Sequence, residues 1–280
     1  MYLIKRRSTN TLMIKPYNPV TPPIPSKPMD WAADKVTYPA VCQPKMNGVK
    51  ALLSPEGKLY LKSAERRPHL EQYGGCGHWL DCELWHPHMD LGTIAGLVNR
   101  HASDNETSKL QLWMVDLINP YVAQADRLLA LEILLPSLSN AEIVISWVCN
   151  NGFEAAEHYK RIQNNDAYDG MIYRNYRAVY QFGKTDYVLK RKKELDGEYL
   201  CIGVTEGMGK FFGMLGSFQL RDDKGNEFSC GGGDLTVEDR KAFWKAPPIG
   251  SHIQVRFPYY STNNIPQCPQ FTRIRNNPAV

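Results

Sequence analysis

The segment 43–50, QPKMNGVK, places a lysine at the end of a short apolar stretch, with a glycine three residues later. A lysine amine becomes a nucleophile when nearby cations or desolvation lower its pKa from about 10.4. A strand that ends before a turn glycine would place Lys45 at the floor of a cleft. Alone, this pattern is common by chance, and a surface turn is the simpler interpretation until the rest of the chain is considered.

Four further segments follow in order: LDCEL at 80–84, LWMVDL at 112–117, YDGMIYR at 168–174 and YVLKRK at 187–192. Together with QPKMNGVK they resemble, in order and spacing, the motifs of the covalent nucleotidyltransferases, which are DNA ligases, RNA ligases and mRNA capping enzymes. The resemblance is closest to small ATP-dependent DNA ligases of the bacteriophage type, and it extends from about Tyr38 to Arg275.

This resemblance implies a reaction in three steps. Lys45 attacks the α-phosphate of ATP, expels pyrophosphate and carries AMP as a phosphoramidate. The AMP then passes to a DNA 5′-phosphate, and the 3′-hydroxyl displaces it to seal a nick in duplex DNA. The implied cofactor is Mg²⁺ or Mn²⁺, and the implied partner is nicked duplex DNA. We expect a monomer without membrane association, located in the cytoplasm (the host's, if the gene is from a phage).

The resemblance also assigns residues to the nucleotide. Glu83 matches the residue that binds the ribose, and Trp113 matches the aromatic residue that stacks on adenine, with a core tryptophan as the competing interpretation. Gln43, two residues before Lys45, is placed to recognise the adenine amino group through its side chain or its backbone.

The last two motifs carry the charged groups of the reaction. Lys190 and Lys192 match two lysines that contact the α-phosphate, and their alternation on a strand would direct both into the cleft. Asp169 stands where the family usually has a glutamate that binds the catalytic cation, and Glu83 is its predicted companion, because carboxylate oxygens suit Mg²⁺.

The sequence departs from the family pattern at three places. Asn47 replaces an aspartate, and Lys50, expected to contact nucleotide and DNA, replaces an arginine whose bidentate fork a lysine cannot reproduce. The serine of a family Ser-Arg pair is followed here by alanine, which leaves Arg66 or Arg67 to bind the DNA 5′-phosphate.

The elements that must position these residues indicate an α+β fold. Over 38–193, short strand candidates alternate irregularly with helices at 91–101, 126–138 and 154–163, which disfavours a doubly wound parallel sheet. A single strand is predicted at 143–148. This region is the expected nucleotidyltransferase domain, with antiparallel sheets and flanking helices.

A second domain is predicted at 194–280. Five short strand candidates and one helix, with Thr236 and Asp239 as a capping box, favour a small OB-fold barrel. The segments at 209–218, 235–240, 247–250 and 269–275 resemble the OB-fold of DNA ligases. Lys210, Arg273 and Arg275 are its candidate DNA contacts.

Composition limits the remaining possibilities. The 280 residues carry a net charge of +4, and six of the 19 prolines and four net positive charges fall in residues 1–37. We expect an extended basic arm there that lies on the DNA backbone, with adenylation intact after deletion of residues 1–30.

The seven scattered cysteines favour a reducing compartment. The group Cys76, His78 and Cys82 lacks zinc-finger spacing.

Three alternatives remain at this point. An RNA ligase is favoured by Asn47 and opposed by the DNA-ligase-like barrel. A capping guanylyltransferase is opposed by the same barrel. A non-catalytic OB-fold nucleic-acid-binding protein is opposed by the joint presence of Lys45, Glu83, Asp169, Lys190 and Lys192.

Overall fold

A computed structural model describes residues 14–165, 167–261 and 263–275 of the chain. The chain divides into two compact units, Met1–Lys192 and Lys193–Val280. Mixed sheets with few helices confirm the predicted α+β class. Among the described residues, no helix is long and apolar enough to cross a membrane.

The first unit is built on two sheets. Its strands are β1 Ser26–Asp30, β2 Ala40–Met46, β3 Val49–Leu53, β4 Leu59–Leu61, β5 Leu80–Trp85, β6 Gln111–Leu117, β7 Ala141–Ile143, β8 Trp147–Cys149, β9 Tyr168–Asn175 and β10 Gly183–Lys192. One sheet has the strand order β1-β10-β9-β2-β8, and the other has the order β4-β3-β5-β6-β7. Most neighbouring strands are antiparallel, as predicted, and the pairs β1–β10 and β6–β7 are parallel.

In the described part of this unit there are also three α-helices and four 3₁₀ turns. They are α1 Leu91–Val98, α2 Gln124–Leu134 and α3 Gly152–Gln163, with 3₁₀ turns at Ala33–Lys35, Pro68–Leu70, Thr107–Lys109 and Leu135–Ser137. Helix α3 packs on the β1–β10–β9–β2–β8 sheet, whereas α1 and α2 pack on the other sheet. Alternate strand residues such as Ala51, Cys82 and Met114 are fully buried in the core of that second sheet. The residues between them in sequence therefore lie on the opposite face.

The predicted strand at 143–148 is wrong as a single element. The chain leaves the second sheet after β7 and enters the first sheet at β8, so the segment is divided between two sheets. The hydroxyl of Ser146 donates to the carbonyl oxygen of Val144 (2.9 Å), which stabilises the turn between the two strands.

Part of the proline-rich segment belongs to the first sheet. Strand β1 pairs in parallel with β10 at the sheet edge. An edge strand tolerates Pro28 because no neighbouring strand lies on its outer side to require an N–H donor. The main-chain N–H of Ser26 donates to the Tyr180 hydroxyl (2.9 Å). Residues 14–37 are therefore not a free arm along their whole length, and residues 1–13 lie outside the described residues.

The second unit is a small β-barrel with one α-helix. Its strands are β11 Leu195–Glu206, β12 Leu215–Arg221, β13 Glu227–Cys230, β14 Gly232–Gly233, β15 His252–Phe257 and β16 Gln270–Arg275, with a 3₁₀ turn at Gly209–Phe211. The sheet order is β13-β12-β11-β15-β16-β14. Because β14 follows β13 after one residue, the two edges of the sheet are joined by continuous chain. The predicted OB-fold is confirmed.

The helix of the barrel is α4, Val237–Lys245. Both halves of the predicted capping box form, since Thr236 and Asp239 exchange side-chain and main-chain hydrogen bonds. Arg240 on α4 is buried and donates to the carbonyl oxygens of Leu215, Gly216 and Gly231. The helix is thereby attached to β12 and to the connection between β13 and β14.

Candidate active site

A cavity of about 320 Å³ lies between the two sheets of the first unit. It is lined by Pro25, Ser26, Lys27, Pro28, Gln43, Pro44, Lys45, Met46, Lys50, Lys62, Glu83, Val115, Ile172, Arg174 and Val188. A volume of this size is at the lower end of the range for small-ligand pockets. Four sequence-predicted residues, Gln43, Lys45, Lys50 and Glu83, line it together.

Lys45 lies near the end of β2, and its ammonium group forms an ion pair with Asp169 on the adjacent strand β9. The side chains are 25% and 15% exposed, and Lys45 lines the cavity whereas Asp169 does not. The structure therefore brings the predicted nucleophile and the predicted cation ligand into direct contact.

Close packing explains why a glycine, Gly48, stands three residues after Lys45. A Cβ on Gly48 would lie 2.5 Å from the carbonyl oxygen of Leu84 and 2.8 Å from Cγ of Glu83. Only a residue without a side chain permits this approach of the β2–β3 turn to β5. The spacing thus holds Lys45 and Glu83 on neighbouring parts of one cavity.

The predicted lysines lie on the same face of the sheet as Lys45. Lys45, Gly170 and Lys192 are paired across β2, β9 and β10, and Gln43, Ile172 and Lys190 form the next such row. Residues directly opposite in antiparallel strands point to the same face, as do residues two apart on one strand. Lys190 also pairs with Asp30 on β1, with 3.2 Å between Nζ and Oδ1.

The residue between these lysines explains their orientation. The guanidinium carbon of Arg191 lies 3.7 Å from the ring centroid of Tyr159 on α3 and 4.2 Å from that of Trp31. These cation–π contacts hold Arg191 on the helix-covered face. Lys190 and Lys192 must therefore project from the other face.

Burial raises the pKa of the Glu83 carboxyl group. Desolvation raises the pKa of its carboxyl group from 4.5 to about 7, although the positive charges of Lys50 and Lys45 oppose the shift. A group that titrates near neutrality in a cleft is a common feature of functional sites.

The side chain of Gln43 makes three hydrogen bonds within the protein. Its Nε2 donates to the Val115 carbonyl oxygen and to the Ser146 hydroxyl, both at 3.0 Å, and its Oε1 accepts from Arg174 Nε (2.8 Å). Both amide donors of Gln43 are therefore used within the protein, whereas Oε1 has one acceptor site left for the adenine amino group. The backbone is also accessible, since β8 pairs only with residues 40–42 of β2 and leaves that edge open beyond them.

The predicted stacking residue Trp113 on β6 pairs with Glu83 on β5, and its role in base binding stays a prediction. Trp113 packs edge-on against Trp85, with ring centroids 5.3 Å apart, and is not among the cavity-lining residues. Val115, two residues later, lines the cavity. A β-bulge makes Val115 the extra residue between the pairs formed by Met114 and Asp116, which sequence alternation cannot reveal.

Asp116 has a structural role in the first unit. Its carboxylate is fully buried and pairs with Arg127 (2.9 Å) and Arg174 (3.2 Å). Arg174 connects this network to Gln43 and to the cavity wall, and sequence analysis missed it. Its position two residues after Ile172 on β9, on the same strand face, is a signal that could have identified it.

Lys50 is also held by a buried acid. It pairs with Asp81, which is 0% exposed, and Asp81 in turn accepts from the Tyr180 hydroxyl (2.7 Å). Tyr180 also accepts from the main chain of Ser26, so one chain of contacts joins β1 to Lys50.

Arg66 and Arg67 do not lie at the cavity. Arg66 forms a bidentate pair with Glu71 (2.7 and 2.8 Å), and Arg67 pairs with Glu65. The neighbouring cation that does line the cavity is Lys62. The structure therefore gives no support to either arginine as a ligand of a phosphate in this cavity.

The three candidate DNA contacts of the barrel lie on its surface. The Nζ of Lys210 lies 4.9 Å from the ring centroid of Phe211, Arg273 donates to Gln254 (2.7 Å), and Arg275 pairs with Glu198 (2.9 Å). Lys210 and Arg273 are exposed, whereas Arg275 is half-buried.

No group of three or more metal-ligating side chains occurs among the described residues. Glu83 and Asp169 nevertheless fit a Mg²⁺ site, because this ion is commonly held by one or two carboxylates together with substrate phosphates. Asp90 caps the N-terminus of α1, where its side chain accepts a hydrogen bond from the N–H of Thr93.

Comparison with known proteins agrees with this architecture. Residues 206–275 match the family model of the DNA ligase OB-like domain. No curated protein sequence matches the chain. A solved structure from a study of DNA binding with a minimal scaffold by Lig E DNA ligases superposes with a TM-score of 0.73 at 20% identity, over 90% of this chain and 98% of that one.

Two viral structures share the same arrangement. The DNA ligase–adenylate of Chlorella virus gives a TM-score of 0.51 at 17% identity, over 91% of this chain and 99% of that one. The ATP-dependent DNA ligase of bacteriophage T7, in complex with ATP, gives 0.52 at 15% identity, over 90% and 98%. Over nine-tenths of its length the chain therefore has the fold of the ATP-dependent DNA ligases, and its second unit carries their OB-like domain.

Proposed function

We propose that this chain is an ATP-dependent DNA ligase that seals nicks between a 3′-hydroxyl and a 5′-phosphate in duplex DNA through a covalent lysyl-AMP. The observation that supports it most directly is the single sheet face that carries Lys45, Lys190 and Lys192 beside a cavity suited to a small ligand. The fold comparisons support the same reaction class.

In the first step, Lys45 Nζ forms a bond to the α-phosphorus of ATP while the bond to pyrophosphate breaks. The amine must lose a proton before it attacks, and Asp169 is the carboxylate in direct contact with it. Lys190 and Lys192 supply positive charge toward the phosphate, where negative charge increases during transfer.

Other residues of the cavity orient the nucleotide. Glu83, Val115 and Ile172 all line the cavity. Glu83 would accept hydrogen bonds from the ribose, and Val115 and Ile172 would supply apolar surface for the base. Glu83 and Asp169 would hold Mg²⁺, which would neutralise phosphate charge when bound. Exposed cations of the barrel, with Lys210 and Arg273 as candidates, would contact the DNA backbone.

The test is covalent labelling. The full chain is incubated with Mg²⁺ and α-labelled ATP or GTP, beside Lys45→Ala and the control Lys160→Ala, an exposed lysine on α3. We expect ATP label on the wild type and on the control only. An adduct that persists in Lys45→Ala, or none in any protein, contradicts the proposal. Labelling by GTP alone indicates a capping enzyme.

The strand preference is tested separately. Adenylated protein is supplied with nicked duplexes whose strands are DNA or RNA. We expect sealing of nicked DNA, whereas a preference for RNA strands would identify the RNA ligase alternative that Asn47 raises.

A further inference from the structure

Five cationic residues line the cavity. The side chains of two of them, Lys27 and Lys62, form no ion pair or hydrogen bond with another described residue. The other three each pair with an aspartate: Lys45 with Asp169, Lys50 with Asp81, and Arg174 with Asp116. Glu83 is the one carboxylate among the described lining residues. The cavity therefore has an excess of positive charge located on Lys27 and Lys62.

These two lysines belong to opposite walls. Lys27 lies in β1 at the edge of one sheet, and Lys62 directly follows β4 at the edge of the other. Both residues are exposed although they line the cavity, which places their ammonium groups at its opening.

The backbone around each lysine is fixed. Lys27 lies between Ser26, held by Tyr180, and Pro28, whose ring restricts the preceding residue to extended conformations. Lys62 begins a tight turn in which the N–H of Ala64 donates to the Leu61 carbonyl oxygen (2.9 Å), and Ala64 has a φ of 63°. The side chains thus project from defined positions, which reduces the entropy lost when they bind a ligand.

We propose that Lys27 and Lys62 form a phosphate-binding subsite at the cavity opening. An ammonium group donates up to three hydrogen bonds and suits a phosphate group with two negative charges. Resting on the proposed function, that phosphate belongs either to the β,γ-phosphates of ATP or to the 5′ end of the nicked DNA. In both cases the proline-rich segment contributes a residue to the active site.

Direct binding tests the subsite independently of activity. Isothermal titration of the full chain with inorganic pyrophosphate, and with nicked duplexes bearing a 5′-phosphate or a 5′-hydroxyl, is carried out on wild type, Lys27→Gln, Lys62→Gln and the matched control Lys160→Gln. We expect each cavity variant to weaken binding of one phosphate ligand about tenfold, and each lysine-to-arginine variant to retain most of it. The control changes net charge equally and should bind as wild type.

Kinetics then identify the source of the phosphate. If the subsite holds the nucleotide, the variants raise KM for ATP in lysyl-AMP formation about tenfold, and preformed adenylated protein seals nicks normally. If it holds the DNA end, adenylation is unchanged and sealing by the adenylated protein is slowed. Either result supports the subsite.

Equal binding of pyrophosphate and of 5′-phosphorylated nicks by wild type and both glutamine variants overturns the subsite. So does an equal loss in Lys160→Gln, because the effect is then one of net charge. If the wild type forms no lysyl-AMP, the proposed function fails, while the pyrophosphate titration still decides whether Lys27 and Lys62 bind phosphate.

Discussion

Lys45 and Asp169, which lie 124 residues apart in sequence, form an ion pair between neighbouring strands at the cavity. The same carboxylate is the candidate proton acceptor and the candidate cation ligand. Asp169→Asn keeps the size and removes the charge, so we expect lysyl-AMP formation to fall about 100-fold or more.

Asp169→Glu is the informative companion variant. It preserves the carboxylate but adds a methylene beside Lys45, so we expect an intermediate loss of about tenfold in the single-turnover adenylation rate. Equal rates for the asparagine and glutamate variants would exclude a role for the charge. Thermal unfolding of each variant provides the control for stability.

The pH dependence of stability should report Glu83. Its carboxyl group has a folded-state pKa of about 7 against 4.5 in its ordinary state, so the folded protein binds this proton more tightly than the unfolded chain. The contribution of Glu83 to the free energy of unfolding therefore declines as the pH rises from 4.5 to about 7, and it stays unfavourable above pH 7.

Glu83→Gln removes that titration. Relative to wild type, the variant should gain on the order of 2 kcal/mol in unfolding free energy between pH 4 and pH 8, measured by urea denaturation. Glu132→Gln, an exposed carboxylate on α2, serves as the control. Identical pH profiles for wild type and Glu83→Gln would show that the carboxyl group is not desolvated.

Substitutions of Val115 and Trp113 test which of these residues contacts the base of ATP. We expect Val115→Ala to raise KM for ATP several-fold, because it removes about two methyl groups of apolar contact at roughly 0.8 kcal/mol each. Trp113→Phe should leave KM unchanged and lower thermal stability, because that ring packs on Trp85. The reverse pattern in ATP saturation curves would restore Trp113 as the stacking residue.

Two N-terminal deletions separate the roles of the proline-rich segment. Removing residues 1–13 takes away Lys5, Arg6 and Arg7, and we expect weaker binding of nicked DNA. The logarithm of the binding constant falls linearly with the logarithm of the salt concentration. The magnitude of that slope should decrease by about 0.9 for each DNA phosphate that is no longer neutralised. Lysyl-AMP formation should persist.

Removing residues 1–30 should also impair adenylation. This deletion eliminates β1, and with it Lys27 and the Asp30 partner of Lys190. It replaces the sequence-based expectation that adenylation survives the longer deletion. Unchanged DNA binding across salt concentrations in the shorter variant would mean that residues 1–13 make no DNA contact.

Gly170 is expected to tolerate no side chain. It has a φ of 144°, and a Cβ there would lie 2.1 Å from the Arg191 carbonyl oxygen and 2.7 Å from Cα of Lys192. Gly170→Ala should therefore destabilise the unit by about 2 kcal/mol or more and reduce adenylation.

Gly96→Ala on α1 is the matched control. No atom lies within 4 Å of the added Cβ there, so we expect a gain of up to about 1 kcal/mol from helix propensity. Denaturant midpoints for the two variants give the comparison, and similar losses in both would refute the close-approach argument.

Sequence by itself was sufficient for the elements whose signals are local. The capping box at Thr236 and Asp239, the strands of the barrel and the ordered motifs around Lys45 depend on residues close together in the chain. Alternation along one strand was also enough to put Lys190 and Lys192 on one face, because side chains in a strand repeat with period two.

Tertiary structure decided the contacts between distant segments. Sequence assigned Trp113 to adenine stacking, which stays a prediction. Only the structure shows that a β-bulge brings Val115 to the cavity lining and that Trp113 packs on Trp85. Composition described residues 1–37 as one arm, yet residues 26–30 pair in parallel with β10, and Ser26, Lys27 and Pro28 line the cavity. Strand order and bulges are set by pairing over long sequence separations, and no local pattern encodes them.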